Sequence, residues 1–119
     1  ESVDFAGGLT IIRKHGSIEI IPKETVLLPN YPNPFNPETW LPYRLSHDAT
    51  VRISIYDAKG QLVRVLFAGK QSAGSYVVKG KAAYWDGRDD MGQKVASGVY
   101  FYTLQAGNFA ATRKMVIAK

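Results

Sequence analysis

The chain of 119 residues contains no cysteine, which excludes disulfides, thiolate metal sites and a cysteine nucleophile. It leaves no trace of the redox state of its compartment. No run of roughly 18 apolar residues occurs, so no transmembrane segment is expected. The first residues lack a basic start followed by an apolar stretch, so any export signal is expected upstream of this piece. Neither G-x-G-x-x-G nor G-x-x-x-x-G-K-[ST] is present, and nothing suggests a βαβ unit to hold one, so nucleotide chemistry is not expected. Histidine is scarce. His15 and His47 fall in predicted turns, and neither has a serine or carboxylate partner at a recognisable spacing. They read as surface residues, and no enzyme activity, catalytic residue or cofactor is expected. Acidic charge is in deficit, 10 residues against 15 Lys and Arg, but the cations are spread along the chain and alternate with apolar residues, as on the solvent face of strands. A solvated basic surface is the expectation and a nucleic-acid partner is not; weak attraction to anionic polymers is the alternative.

What is present is a globular composition, 45% hydrophobic and 21% charged, long enough to bury roughly two thirds of the unfolded surface around one core. All six prolines precede residue 43, whereas nine of the eleven glycines follow residue 15. A proline-punctuated opening therefore leads into a glycine-punctuated body. In that body Val51, Ile53 and Ile55 alternate with Arg52, Ser54 and Tyr56, the period of a strand with one buried face, and Asp57–Gly60 supplies turn residues. LVRVLF from Leu62, SYVVKG from Ser75, AAYW before Asp86, VYFYTL from Val99 and ATRKMVIA from Ala111 read as further strands, and WLPYRL from Trp40 as another. About seven strands with no sustained 3.6-residue period argue an all-β fold, an immunoglobulin- or fibronectin III-like antiparallel β-sandwich. Val51, Ile53 and Ile55 should face inward, with Trp85 and Phe35 closing the interior. Residues 1–25 form an N-terminal extension or linker; LTIIRK and SIEIIP around His15-Gly16 fit either a short hairpin or one edge strand followed by linker. Residues 26–119 form the main domain.

Two clusters offer chemistry. Asp86, Asp89 and Asp90 could supply hard oxygen ligands to Ca²⁺, yet Asp and Gly are equally what tight turns require, and the structural turn, with no metal, is the expectation. Trp40, Tyr43, Tyr100 and Tyr102 could form an exposed aromatic strip for sugars, which would make the chain a carbohydrate-binding module of a secreted glycoside hydrolase; strand aromatics are more often core.

Read together, Tyr31-Pro32-Asn33-Pro34-Phe35-Asn36-Pro37, Tyr43-Arg44-Leu45, Val51–Asp57 with Gly60, Ala73-Gly74, Trp85-Asp86-Gly87, Val95–Tyr100 and Arg113-Lys114-Met115 resemble the C-terminal sorting domain of type IX secretion cargo. That group overlaps the immunoglobulin-like domain of flagellar hook-capping proteins. The resemblance covers Val26 to Lys119, with extra length at Ser75–Lys81. It implies a sorting signal at the end of a larger exported protein, reached through the periplasm. Its partners would be the outer-membrane secretion machinery and an upstream cargo domain of the same polypeptide, its destination the cell surface or beyond. Pro32, Pro34 and Pro37 stiffen their segment. Phe35 is expected to plug one end of the sandwich and the asparagines to bond nearby backbone. Asn33, Pro34, Phe35, Asn36 and Pro37, together with Lys114, Met115, Val116 and Lys119 of the last strand, are the candidate partner-binding residues. If that strand lies at a sheet edge, its unpaired backbone could accept a partner strand.

Overall fold

The computed structural model describes the backbone of residues 2–5, 9–14 and 17–119, and side chains from residue 20 onward. Strands β1 (Ser2–Phe5), β2 (Leu9–Lys14) and β3 (Ser17–Pro22) form an antiparallel three-stranded sheet in the order β1-β2-β3. Lys14 lies opposite Ser17, while the His15-Gly16 connection lies outside the described residues.

The body, from Val26, is an immunoglobulin-like antiparallel sandwich, as the strand pattern led one to expect. Its strands are β4 (Val26–Leu27), β5 (Thr39–Leu41), β6 (Tyr43–Leu45), β7 (Ala49–Asp57), β8 (Leu62–Gln71), β9 (Gly74–Tyr76), β10 (Ala83–Trp85), β11 (Gly98–Ala106) and β12 (Phe109–Ile117). One layer is a four-stranded sheet, β12-β11-β7-β8. The other is built from the pairs β10-β5 and the trio β4-β6-β9. The body has nine strands where the sequence suggests about seven, for two reasons. Pro42, which has no N–H to give a ladder, splits WLPYRL into β5 and β6, which then pair in different sheets. Val26–Leu27 adds a short edge opposite Tyr43-Arg44. SYVVKG, conversely, is a strand only to Tyr76; Val78 turns the chain by accepting bonds from the Lys81 and Ala82 amides. LVRVLF, in turn, is the first part of a longer strand that runs through Gly69 to Gln71.

The period of two in β7 does what it should. Val51, Ile53 and Ile55 are buried and meet Leu104, Tyr102, Met115 and Ile117 from β11 and β12, with Leu41, Tyr43 and Leu45 opposite. Trp85, fully buried, is the hub of one end. Phe35 packs edge-on against it at 5.7 Å between ring centroids, and Tyr100 also packs edge-on at 5.7 Å. The Trp85 indole N–H donates to the Arg88 carbonyl at 2.8 Å, so the ring loses no hydrogen bond by burial. Tyr102 is also fully buried, and its hydroxyl donates to the Leu28 carbonyl at 2.9 Å. Beside it the Arg113 guanidinium donates to the Leu27 carbonyl at 2.7 Å. These two bonds tie the chain that enters the proline-rich segment to the four-stranded sheet.

Trp85→Ala removes a ring that two other rings rest on, and should cost about 3 to 5 kcal/mol. A chemical-denaturation midpoint close to that of the parent would refute the placement. Burial pushes the hydroxyls of both Tyr43 and Tyr102 up to about 12, Tyr76 adding to the effect at Tyr43 and Asn30 and Arg113 opposing it at Tyr102. The unfolded chain ionises near 10, so the folded state holds these protons more tightly; its stability is complete below about pH 10 and declines as pH rises toward 12. Denaturant midpoints that stay level between about pH 9 and pH 11.5 would contradict this, whereas a steady fall, lessened in Tyr102→Phe, is expected.

Candidate functional site

Phe35 is the one ring of the proline-rich segment that is buried; Asn33, Pro34, Asn36 and Pro37 are all exposed. Proline cannot donate to a ladder, so the segment offers one sequence of backbone bonds through its non-proline residues. The Phe35 N–H donates to the Val116 carbonyl at 3.0 Å, and the Ala118 N–H returns a bond to the Phe35 carbonyl at 3.1 Å. Phe35 and Ile117 thereby form a parallel bridge. Asn33 Oδ1 accepts the Val116 N–H at 3.0 Å, the side chain standing in for a carbonyl that a strand would have provided. The peptide bonds preceding Pro32, Pro34 and Pro37 are cis. The two groups of candidate residues, 81 and 83 positions apart at these bonds, therefore meet at one place on the outer edge of β12.

The Trp85-Asp86-Gly87 turn completes it. Gly87 has φ of +76°, and a Cβ added there would stand 2.4 Å from the Pro37 carbonyl oxygen. Only glycine satisfies both the left-handed backbone and this approach. Phe35 on Trp85, and Pro37 on Gly87, join the proline-rich segment to this turn just as backbone bonds join it to β12.

At the end of β12 the candidates divide. Met115 and Ile117 are buried beneath the segment, Val116 is half-buried, and Lys114 is exposed opposite Phe101. Lys119 is exposed but not loose: its N–H donates to Ser97 Oγ at 3.2 Å and its ammonium reaches the Val95 carbonyl. β12 is an edge strand of its sheet. Backbone groups alternate sides along a strand, so the N–H groups of Thr112 and Lys114 point the same way as those of Val116 and Ala118. The segment covers the last two and leaves the first two open.

In the acidic loop one oxygen of each carboxylate has its partners. Asp86 Oδ1 accepts the Arg88 N–H at 3.0 Å and Arg64 Nη1 at 3.1 Å. Asp89 Oδ1 accepts the Met91 and Gln93 amides, each at 2.9 Å. Asp90 Oδ1 lies 3.6 Å from Arg64 Nε, and the Asp90 N–H donates to the Val63 carbonyl at 3.1 Å. The Arg64 guanidinium thus faces both Asp86 and Asp90, and the loop caps the start of β8 much as the proline-rich segment caps the end of β12. No cluster of metal-ligating side chains occurs among the described residues. Arg64 is invisible to a spacing argument because it comes from β8, more than 20 residues before the loop. His47 is exposed and shares a hydrogen bond of 2.9 Å with Ser46 Oγ; His15 lies outside the described residues. Of the proposed sugar strip, Tyr43, Tyr100 and Tyr102 are buried, leaving Trp40 alone half-exposed. These four do not form a coplanar exposed row. Among the described residues no helix is long and apolar enough to cross a membrane.

Solved structures that share this architecture include two from one organism. Dimeric latent PorU from Porphyromonas gingivalis superposes with a TM-score of 0.55 and 22% identity, over 78% of this chain and 9% of that one. PorZ, described as an essential bacterial surface component of the type-IX secretion system of the same organism, superposes with a TM-score of 0.52 and 17% identity, over 94% of this chain and 15% of that one. At such identities the likeness is one of fold, and the chain spans a small part of either protein's length. No curated protein matches the chain. The family model of the FlgD Ig-like domain matches residues 38–109, a range that holds β5 through β11 and the Trp85-Asp86-Gly87 turn. With more than half of its length matched, this chain belongs to the FlgD Ig-like domain family.

Proposed function

We propose that this domain is a non-catalytic sorting signal: it directs a larger exported protein, of which it forms the C-terminal part, to outer-membrane secretion machinery of the type IX kind and so to the cell surface. The observation that carries the reading is the meeting of the proline-rich segment with the edge of β12. A signal must present one fixed shape on every cargo it serves. Here a stiffened segment, a fully buried tryptophan and the last strand lock one another, so the edge they present does not depend on what precedes them. Asn33, Pro34, Asn36, Pro37, Lys114 and Lys119 supply the exposed surface of that edge, while Phe35 and Met115 hold it from beneath. Likeness to a fold found in a type-IX surface component supports the same reading. The open stretch of β12 through Thr112 and Lys114 is where a receptor strand would add.

The test is export. The full chain, fused behind a signal peptide and a reporter, should carry the reporter to the surface of a host with a type IX system and leave it in the periplasm of a mutant lacking that system. Truncating at Lys114 would also unseat Met115 and Ile117 from the core, so exposed positions are the better probes. Lys114→Glu with Thr112→Pro, which blocks strand addition without touching the interior, should lower export severalfold while circular dichroism is unchanged. Export of that variant at the parent level, or retention of the parent fusion in the periplasm, would sink the reading.

A further inference from the structure

The sheet of β1, β2 and β3 has two unlike faces. Residues directly opposite one another in an antiparallel pair share a face, and successive residues alternate between faces. Val3, Ile11 and Ile20 therefore form one row across the sheet, and Phe5, Leu9 and Pro22 the next row of the same face. Ile18 continues that face on β3, paired with Arg13. The rows of the other face are polar for the most part: Ser2, Ile12 and Glu19, then Asp4, Thr10 and Ile21. A sheet with one apolar face must bury it against another layer. The body meets this sheet at β3, through β6 and β9, and Pro22, at one end of the apolar face, is buried. Two residues back along the same face Ile20 is 59% exposed. The body thus leaves the face open at Ile20, and the row that Ile20 starts leads across β2 to β1, the edge opposite β3.

Two occupants suit such a face: a second copy of this sheet, or another layer of the same polypeptide. Size decides between them. The strands are 4, 6 and 6 residues long. At about 3.3 Å per residue and ~4.8 Å between strands they make a face of roughly 300 Å², well under the ~800 Å² per partner of a stable interface between free proteins. A layer carried on the same chain escapes that limit, because the link between the two sets a high effective concentration. We propose that β1–β3 is one layer of a two-layered unit whose other layer is an apolar surface of the cargo domain directly upstream, packed on the face of Val3, Ile11 and Ile20. Arg13, the one cation among these apolar positions, calls for a carboxylate at the border of that surface. This rests on the reading of the chain as the C-terminal part of a larger exported protein. It adds that residues 2–22 fold with the cargo, whereas the sorting surface is built from residues after them.

The absence of cysteine makes the face readable, since a thiol introduced at one position can be followed by alkylation with N-ethylmaleimide and located by peptide mass. In the 119-residue chain, Ile20→Cys should label fast and the chain should sediment as a monomer. In the whole natural polypeptide the same position should label about tenfold more slowly or less, while Ser17→Cys, on the polar face, should label fast in both. Ile20→Lys should lower the melting temperature of the upstream domain by several degrees and leave that of the 119-residue chain unchanged. Slow labelling of Ile20→Cys in the 119-residue chain, as a monomer covered by its own body or as a dimer, would overturn the proposal. So would fast labelling in the whole polypeptide, or an upstream domain indifferent to Ile20→Lys. The reporter assay separates this contact from the sorting role. Failed export with Ile20→Cys protected would sink the sorting role and keep the contact; normal export with Ile20→Cys labelled fast in the whole polypeptide would do the reverse.

Discussion

The seating of Phe35 against Trp85 is the contact on which the rest of this end of the molecule depends. A proline-rich segment cannot enter a sheet by its own ladder, so it must be held by something else. One buried ring supplies the attraction, and the two backbone bonds on either side of it fix the direction. Once Phe35 is in place, Asn33 reaches Val116, Pro37 meets the bare Cα of Gly87, and the last strand acquires a neighbour on its open side.

The same end of the four-stranded sheet contains both of its capped edges. The close of β12 lies opposite the start of β11, and the start of β8 opposite the close of β7. There the proline-rich segment covers β12 and the Asp86–Asp90 loop covers β8, and the two covers touch through Phe35–Trp85 and Pro37–Gly87. Unpaired edges invite uncontrolled strand pairing, which natural sheets suppress with loops, bulges and charge. Here β8 also carries two register shifts. The open remainder of β12 is short and bears Arg113 and Lys114, which is how an edge can be kept from promiscuous pairing yet stay available to one partner.

Much of this was legible beforehand, because it depends on local rules. The alternation of Val51, Ile53 and Ile55 fixed the inner face of β7, and Phe35 was readable as a plug because an aromatic among prolines has little else to do. What was not legible depends on contacts between distant residues. WLPYRL reads as one strand because proline's effect at Pro42 is to redirect the chain into another sheet, and nothing local says which. That Asp86 and Asp90 both face Arg64 is set by the pairing of distant strands. Tyr31 and Tyr84 show no common period; only sheet pairing sets them beside Trp40. That Asn33 would bond Val116 is a property of the closed fold alone.

Amide hydrogen exchange tests the central claim most directly, because the last strand carries its own control. The N–H groups of Thr112, Lys114, Val116 and Ala118 all point away from β11, and only the last two have partners in the proline-rich segment. Val116, Ala118 and Phe35 amides should exchange slowly and Thr112 and Lys114 amides quickly, and Phe35→Ala should release the first group while leaving Ile53 and Leu104 protected. Equal, rapid exchange at the Thr112, Lys114, Val116 and Ala118 amides in the parent chain would contradict the account.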